Sequence, residues 1–398
     1  MTNTWKIFML AAVSFLVGTS EFIIAGILDM ISEDVGVSLA AAGQLITVFS
    51  VAYAFGTPIL MAMTARMERR KVLLSALGAF VIGNALAVSA PGFIALMASR
   101  VILALSTGLF VVVALTVAAK LAQPGKQGSA IATLVMGFST ALIIGVPLGR
   151  VVAAALEWKT IFAGIGALGI LAMVLVYVTI PISEGEEPVP LRRQLLLLRD
   201  RKIAIALSIT FFWIFGYSVA YTYISPFLLK ITGMDEREVS IALFAFGLAS
   251  LIGSKLGGYG TDKWGVPRTL VGGMLLHALA LVLLTAGAHS PAVVFPVLIL
   301  WAFSAWSSGP TQQFYLMSLS PEASGIMLSL NTSVLQFAMA AGAGIGGVVV
   351  ERVSLSSVSW MGATAVIVAA ATAAVSLGVA RIRSRAAVRE KGIRKAEA

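Results

Sequence analysis

Glu21 stands inside an apolar stretch, with Phe15-Leu-Val-Gly-Thr-Ser before it and Phe22-Ile-Ile-Ala-Gly after it. Arg100 is set in the same way ahead of Val101-Ile-Leu-Ala-Leu. An ionisable side chain in such surroundings costs a few kcal/mol at least, so those kept there usually face a cavity and do a job. The chemistry open to this pair is proton exchange. Desolvation favours a neutral acid and a nearby cation or cationic ligand favours the carboxylate, so a group pulled both ways can take up and release a proton in each cycle. Glu21 is read as the protonation site and a ligand contact, with Arg100 as partner or modulator. The competing reading is a permanent Glu21–Arg100 ion pair that only holds two helices together. Asp29 and Arg150 form either a gate pair or a solvated rim.

Other chemistries find no residues. The chain has no cysteine, which excludes disulfides and thiolate metal sites, and its two histidines, His277 and His289, have no carboxylate nearby in sequence. No metal site or cofactor is expected. No clustered nucleophile and base suggests an enzyme. Gly342-Ala-Gly-Ile-Gly-Gly347 fits a dinucleotide-loop string, but no strand precedes it and the run is apolar, so helix packing by small residues is the better reading.

The elements that position Glu21 and Arg100 are membrane spans. Of 398 residues, 59% are hydrophobic and 12% charged, against about 25% charged in a soluble domain, so the chain cannot wet its own surface. Hydropathy predicts twelve spans over about 5–30, 40–65, 71–90, 93–118, 128–153, 160–181, 203–228, 239–260, 268–288, 292–316, 323–350 and 357–380. At about 1.5 Å of rise per residue, Glu21 falls roughly 15 Å and Arg100 roughly 12 Å below the outer surface. Most Lys and Arg residues fall in the loops that share a side with the termini, including Arg66, Arg69, Arg70, Lys71, Arg192, Arg193 and Lys263. Positive residues concentrate inside, so both termini are expected in the cytoplasm of a bacterium, with the chain in the inner membrane. The formal charge of +10 then reports topology and a lipid contact, and a nucleic-acid partner is not expected.

A shift of 197 positions lays the second half on the first: Gly56 on Gly253, Leu73 on Leu270, Gly128 on Gly325. Six spans per half make the repeats parallel, an arrangement that puts a cavity between two rocking bundles near the midplane. The organisation is a six-helix bundle over 1–181, a cytoplasmic linker over 182–202, a second bundle over 203–380 and a basic tail over 381–398 with little to bury. The tail is expected to be mobile.

Gly258-Tyr-Gly-Thr-Asp262-Lys263-Trp-Gly265 with Arg268 resembles the glycine-to-aspartate loop of the major facilitator superfamily. The first-half copy is degenerate, with Met61, Ala65 and Glu68 at the matching positions, yet it keeps Arg66 and Arg70. The resemblance implies a cytoplasmic gate from Asp262, Lys263, Arg66 and Arg70. Gly145-Val-Pro147-Leu-Gly149 resembles the antiporter motif of the drug:proton antiporter branch, and implies close contact of the two halves when the outer side is shut. Arg100 followed by Gly108 matches that superfamily's fourth-helix motif, and Ser20-Glu21-Phe22 is similar to bacterial sugar-efflux and arabinose-efflux-like transporters.

The implied fold is an all-α membrane protein of two six-helix bundles. Its implied cavity is walled by helices 1, 4, 7 and 10. Substrate contacts are then expected from Tyr217, Tyr221 and Trp306, with Tyr53 and Asn331 as secondary polar candidates, since aromatics with polar edges suit flat or amphiphilic ligands. The expected activity is export of small molecules, such as drugs, sugars or related metabolites, in exchange for protons by a monomer. A proton-coupled nutrient importer of the same fold is the alternative.

Overall fold

The computed structural model describes residues 3–123, 127–183, 196–320 and 324–396, the side chains of 127–129, 324–326 and 379–396 excepted. Twelve helices among them are long and apolar enough to cross a membrane. In the first half these are α1 (Asn3–Gly26), α2 (Leu39–Thr64), α3 (Arg69–Ser89), α4 (Phe93–Leu121), α5 (Ala130–Ala155) and α6 (Trp158–Thr179). In the second they are α7 (Arg201–Lys230), α8 (Glu236–Trp264), α9 (Val266–Ala286), α10 (Pro291–Leu319), α11 (Met327–Arg352) and α12 (Ser357–Gly378). The sequence repeat has a structural counterpart. Gly56 on α2 lets Leu105 of α4 pack against its backbone, and Gly253 on α8 does the same for Phe303 of α10. Most of the linker, including Arg192 and Arg193, and Lys126 lie outside the described residues.

Three irregularities shape the core. The first is a break after α1 at Ile27, before a short helix over Leu28–Val35. The second interrupts α7 at Thr222–Tyr223, where the helix over Arg201–Tyr221 gives way to Ile224–Lys230. Both lie toward the end of the bundle remote from the termini, called here the far end. The third is a π-helical turn over Ala141–Gly145 in α5. Pro147, two residues on, cannot donate a backbone hydrogen bond, and a wide turn is one way a helix absorbs that loss. Broken backbone at membrane depth is tolerated only where other groups satisfy it.

The halves meet along two seams. On one, α2 and α11 pack together: Thr47 Oγ1 donates to the Ala340 carbonyl at 3.3 Å, and Phe55 meets Phe337 edge to face at 6.2 Å. On the other, α5 meets α8, where Gly247 leaves room for the backbone of Ile143 in the π turn. The antiporter-like glycines correct an expectation. Gly145 packs on Thr19 and Gly149 on Ile23, both of α1 in the same half. They hold α5 against α1, because a helix pair without a hydrophobic drive needs small residues to approach closely; Ile143 and Arg150 of the same helix make contacts across the halves. The last helix runs on through the tail to Ala396. Its Ala, Arg, Lys and Glu are strong helix formers, so no packing is needed to extend α12.

Candidate transport site

At the far end, the break at Ile27 frees the carbonyls of Ala25 and Gly26, which a continuous helix would pair internally. Ser225 Oγ, from the second half, donates to both, at 3.0 Å and 3.2 Å. Arg150 also donates to Gly26, and its guanidinium clasps Asp29 in a two-point ion pair of 2.9 Å and 3.0 Å. Its other reach is across the halves, to Glu236 Oε2 at 2.7 Å. Arg150 is fully buried and Asp29 nearly so. The solvated rim is therefore excluded: a planar fork with five donors satisfies two carboxylates and a carbonyl at once, as a lysine could not. Asp29–Arg150–Glu236 and Ser225 bond the two halves together at the far end. Glu236 was not legible in the sequence, because an acid in a helix's first turn is commonplace.

Deeper along α1, Arg100 reaches the same level as Glu21, as the spacing predicts. Its guanidinium goes to main chain, however, donating to the carbonyls of Ser20 at 2.8 Å and Glu21 at 3.2 Å. The face of the group lies over the Phe49 ring, 4.4 Å from its centre. The Glu21 carboxylate turns instead to the second half, where Gln336 Nε2 on α11 donates to Oε1 at 3.1 Å. The side-chain ion pair considered from sequence does not form. Arg100 fixes the backbone that carries Glu21 and leaves Oε2 with no hydrogen-bond partner among the described residues, at a buried site 6% exposed. Such an oxygen can take a proton or a ligand's donor. Gln336, one more polar residue in an apolar helix by sequence, is the Glu21 partner.

The second half contributes aromatics. Tyr217 stacks on Tyr221, ring centres 5.1 Å apart, and meets Trp306 edge to face at 6.3 Å. Behind them Trp301 lies 5.8 Å from Tyr217 and 5.1 Å from Phe246. Trp301 Nε1 donates to His277 Nε2 at 2.8 Å, so His277 has a structural role. Trp213 Nε1 is buried without a partner among the described residues and could serve a ligand, while the Tyr217 hydroxyl is buried beside Trp306. Tyr53 is buried on α2, one turn from Phe49. Asn331 is engaged: its Oδ1 accepts from Thr210 at 2.8 Å, and Gln312 donates to Thr210 at 2.9 Å, tying α11, α7 and α10 together.

At the end shared with the termini, the four gate candidates stay within their own halves. Arg70 pairs with Glu68 at 3.4 Å and donates to the Tyr177 carbonyl. Lys263 donates to Tyr259 on its own helix at 3.0 Å, and Arg66 and Asp262 are exposed.

The chain matches the Major Facilitator Superfamily over residues 10–343 and 206–397. It is 60% identical to the MFS-type transporter YbcL of Bacillus subtilis over 93% of this chain and 95% of that one. It is 30% identical to the inner membrane transport protein YdhP of Escherichia coli, over 91% and 93%. It is 27% identical to a probable sugar efflux transporter of Helicobacter acinonychis, over 90% and 91%. A solved bacterial homologue of the lysosomal transporter Spinster, in an inward-facing, unoccupied conformation, shares the fold with a TM-score of 0.74 at 17% identity, over 94% of this chain and 96% of that one. Twelve spanning helices in two repeated halves, a buried carboxylate on the seam between them and these relatives lead to one conclusion: the chain is a transporter of the major facilitator superfamily.

Proposed function

We propose that this transporter exports small molecules in exchange for protons by alternating access, from a bacterial inner membrane with both termini in the cytoplasm. The observation that carries the reading is Glu21. It is buried on the seam, held by Gln336 through one oxygen and unpartnered at the other, in a position where proton and substrate can compete. The far-end closure by Arg150, Asp29, Glu236 and Ser225 then belongs to the state that receives substrate from the cytoplasm. Moving to the outward state requires Arg150 to release Glu236. The aromatic wall of Tyr217, Tyr221 and Trp306 favours a flat or amphiphilic ligand, and the name of the Helicobacter relative adds sugars to the candidates. Asp262, Lys263, Arg66 and Arg70 are proposed to engage when the other end closes. Tyr53 and Asn331 line or brace the same cavity, and the unit of transport is a monomer.

The test is proton movement in proteoliposomes that hold a pH dye, challenged with chloramphenicol-like, cationic and sugar ligands. The native chain moves protons on addition of one ligand class and Glu21→Gln does not. Equal proton movement by both would make Glu21 structural and remove the mechanism.

A further inference from the structure

A groove of about 650 Å³ runs along the outside of the seam between α5 and α8, at the far end. Its walls are apolar: Ile144, Leu148 and Val151 from α5 face Ile241 and Phe244 from α8, and all five are exposed. Glu236 and Arg237, the first residues of α8, stand at its mouth. Phe244 is seven residues further along α8, so the apolar wall reaches about 10 Å inward from Arg237. That depth runs from the interface into the hydrocarbon layer. Among the described residues no carboxylate pairs with the exposed Arg237. Glu236 spends one oxygen on Arg150 and keeps its side chain 47% exposed.

We propose that this groove binds an aminophospholipid, with its phosphate on Arg237, its ammonium toward Glu236 and an acyl chain between α5 and α8. The adjacent cation and anion match the two charges of such a headgroup in order, and an arginine fork suits phosphate. Asp29 and Glu236 share the single guanidinium of Arg150, so that cluster keeps one net negative charge, and a purely anionic lipid would set its phosphate beside it with no ammonium to offset the repulsion. The two walls belong to different halves of the protein. The site therefore exists as a groove only while Ile143 meets Gly247 and Arg150 holds Glu236. A lipid seated there favours that closed far end, since a ligand shifts a population toward the state it binds better. This inference rests on the fold and holds for either direction of transport.

The test is lipid retention by the purified full chain in detergent, read by native mass spectrometry after addition of phosphatidylethanolamine or phosphatidylglycerol. The native chain retains phosphatidylethanolamine about tenfold better, a difference of the size set by one charge-assisted contact. Arg237→Ala removes the phosphate contact and Ala155→Trp, at a position that lines the groove, fills it, and each lowers retention to the phosphatidylglycerol level. Val178→Trp, on an exposed position of α6 away from the groove, leaves it unchanged. Native retention in both groove variants, or an equal loss in Val178→Trp, means ordinary boundary lipid and overturns the proposal. Equal retention of the two lipids by the native chain also overturns it, because the headgroup amine then contributes nothing. Unaltered melting temperatures of the variants confirm that folding is not what changed.

Discussion

The two halves share a fold and divide the chemistry. The first half carries buried charges at Glu21, Asp29, Arg100 and Arg150: both arginines bond α1 carbonyls, Asp29 pairs with Arg150, and Glu21 takes its one hydrogen bond from the second half. The second half buries Tyr217, Tyr221, Phe246, Trp301 and His277 in one aromatic cluster, with a single indole-to-imidazole hydrogen bond at its back. Among the described residues, the two packed seams between them carry few polar bonds: Gln336 to Glu21, Arg150 to Glu236, Ser225 to the carbonyls of α1 and Thr47 to the Ala340 carbonyl. Duplication thus supplies the frame. The difference teaches that a buried carboxylate and an aromatic wall need not be duplicated with it, and that the bonds joining the two halves each draw on residues present in only one copy.

The comparison breaks most severely at Arg150. Replacing it with alanine leaves Asp29 buried without a partner, a loss of about 3–5 kcal/mol, and frees Glu236. A large fall in melting temperature is expected. The far end also opens: since the chain has no cysteine, Ser225→Cys can be probed alone with a membrane-impermeant maleimide. It is protected in the otherwise native chain and labelled when Arg150→Ala is added.

Trp301→Phe addresses the second half. It removes the only N–H that reaches His277 Nε2 among the described residues, at a cost of about 1–3 kcal/mol. Because Trp301 backs Tyr217, the expected result is a several-fold higher KM for the transported ligand with the number of protons per ligand unchanged. A change in proton number instead would put His277 and Trp301 in the coupling machinery and erase the division of labour.

Arg100→Lys sharpens the first half. A lysine keeps the charge but cannot span two carbonyls while lying flat on Phe49, so about 1 kcal/mol of stability is lost, the size of one net hydrogen bond. Thermal unfolding in detergent measures it. The smallest effect is expected at Arg66, which is exposed; alanine there changes unfolding by less than about 0.5 kcal/mol.

Much of this was open to reading in the chain itself. Long apolar runs locate all twelve helices because bilayer thickness sets their length, and the 197-residue shift pairs Gly56 with Gly253 at matching helix crossings. Glu21 and Arg100 stood out because hydrocarbon penalises charge. The partners did not. Whether Arg100 meets the Glu21 carboxylate or the carbonyls behind it depends on how α1 is rotated against α4, a tertiary property that spacing does not encode. Glu236 hid among ordinary first-turn acids of α8, and Ser225 in a segment read as unbroken helix. The antiporter-like glycines were found as a motif, but which neighbour they face is decided by packing.

The central claim is that Glu21 couples transport to protons, by giving up its proton as substrate arrives. It is tested most directly by following radiolabelled ligand in proteoliposomes in two modes, exchange against internal unlabelled ligand at equal pH and accumulation driven by a pH gradient. The account predicts that Glu21→Gln retains exchange and loses accumulation. Accumulation by Glu21→Gln at the native level would contradict it.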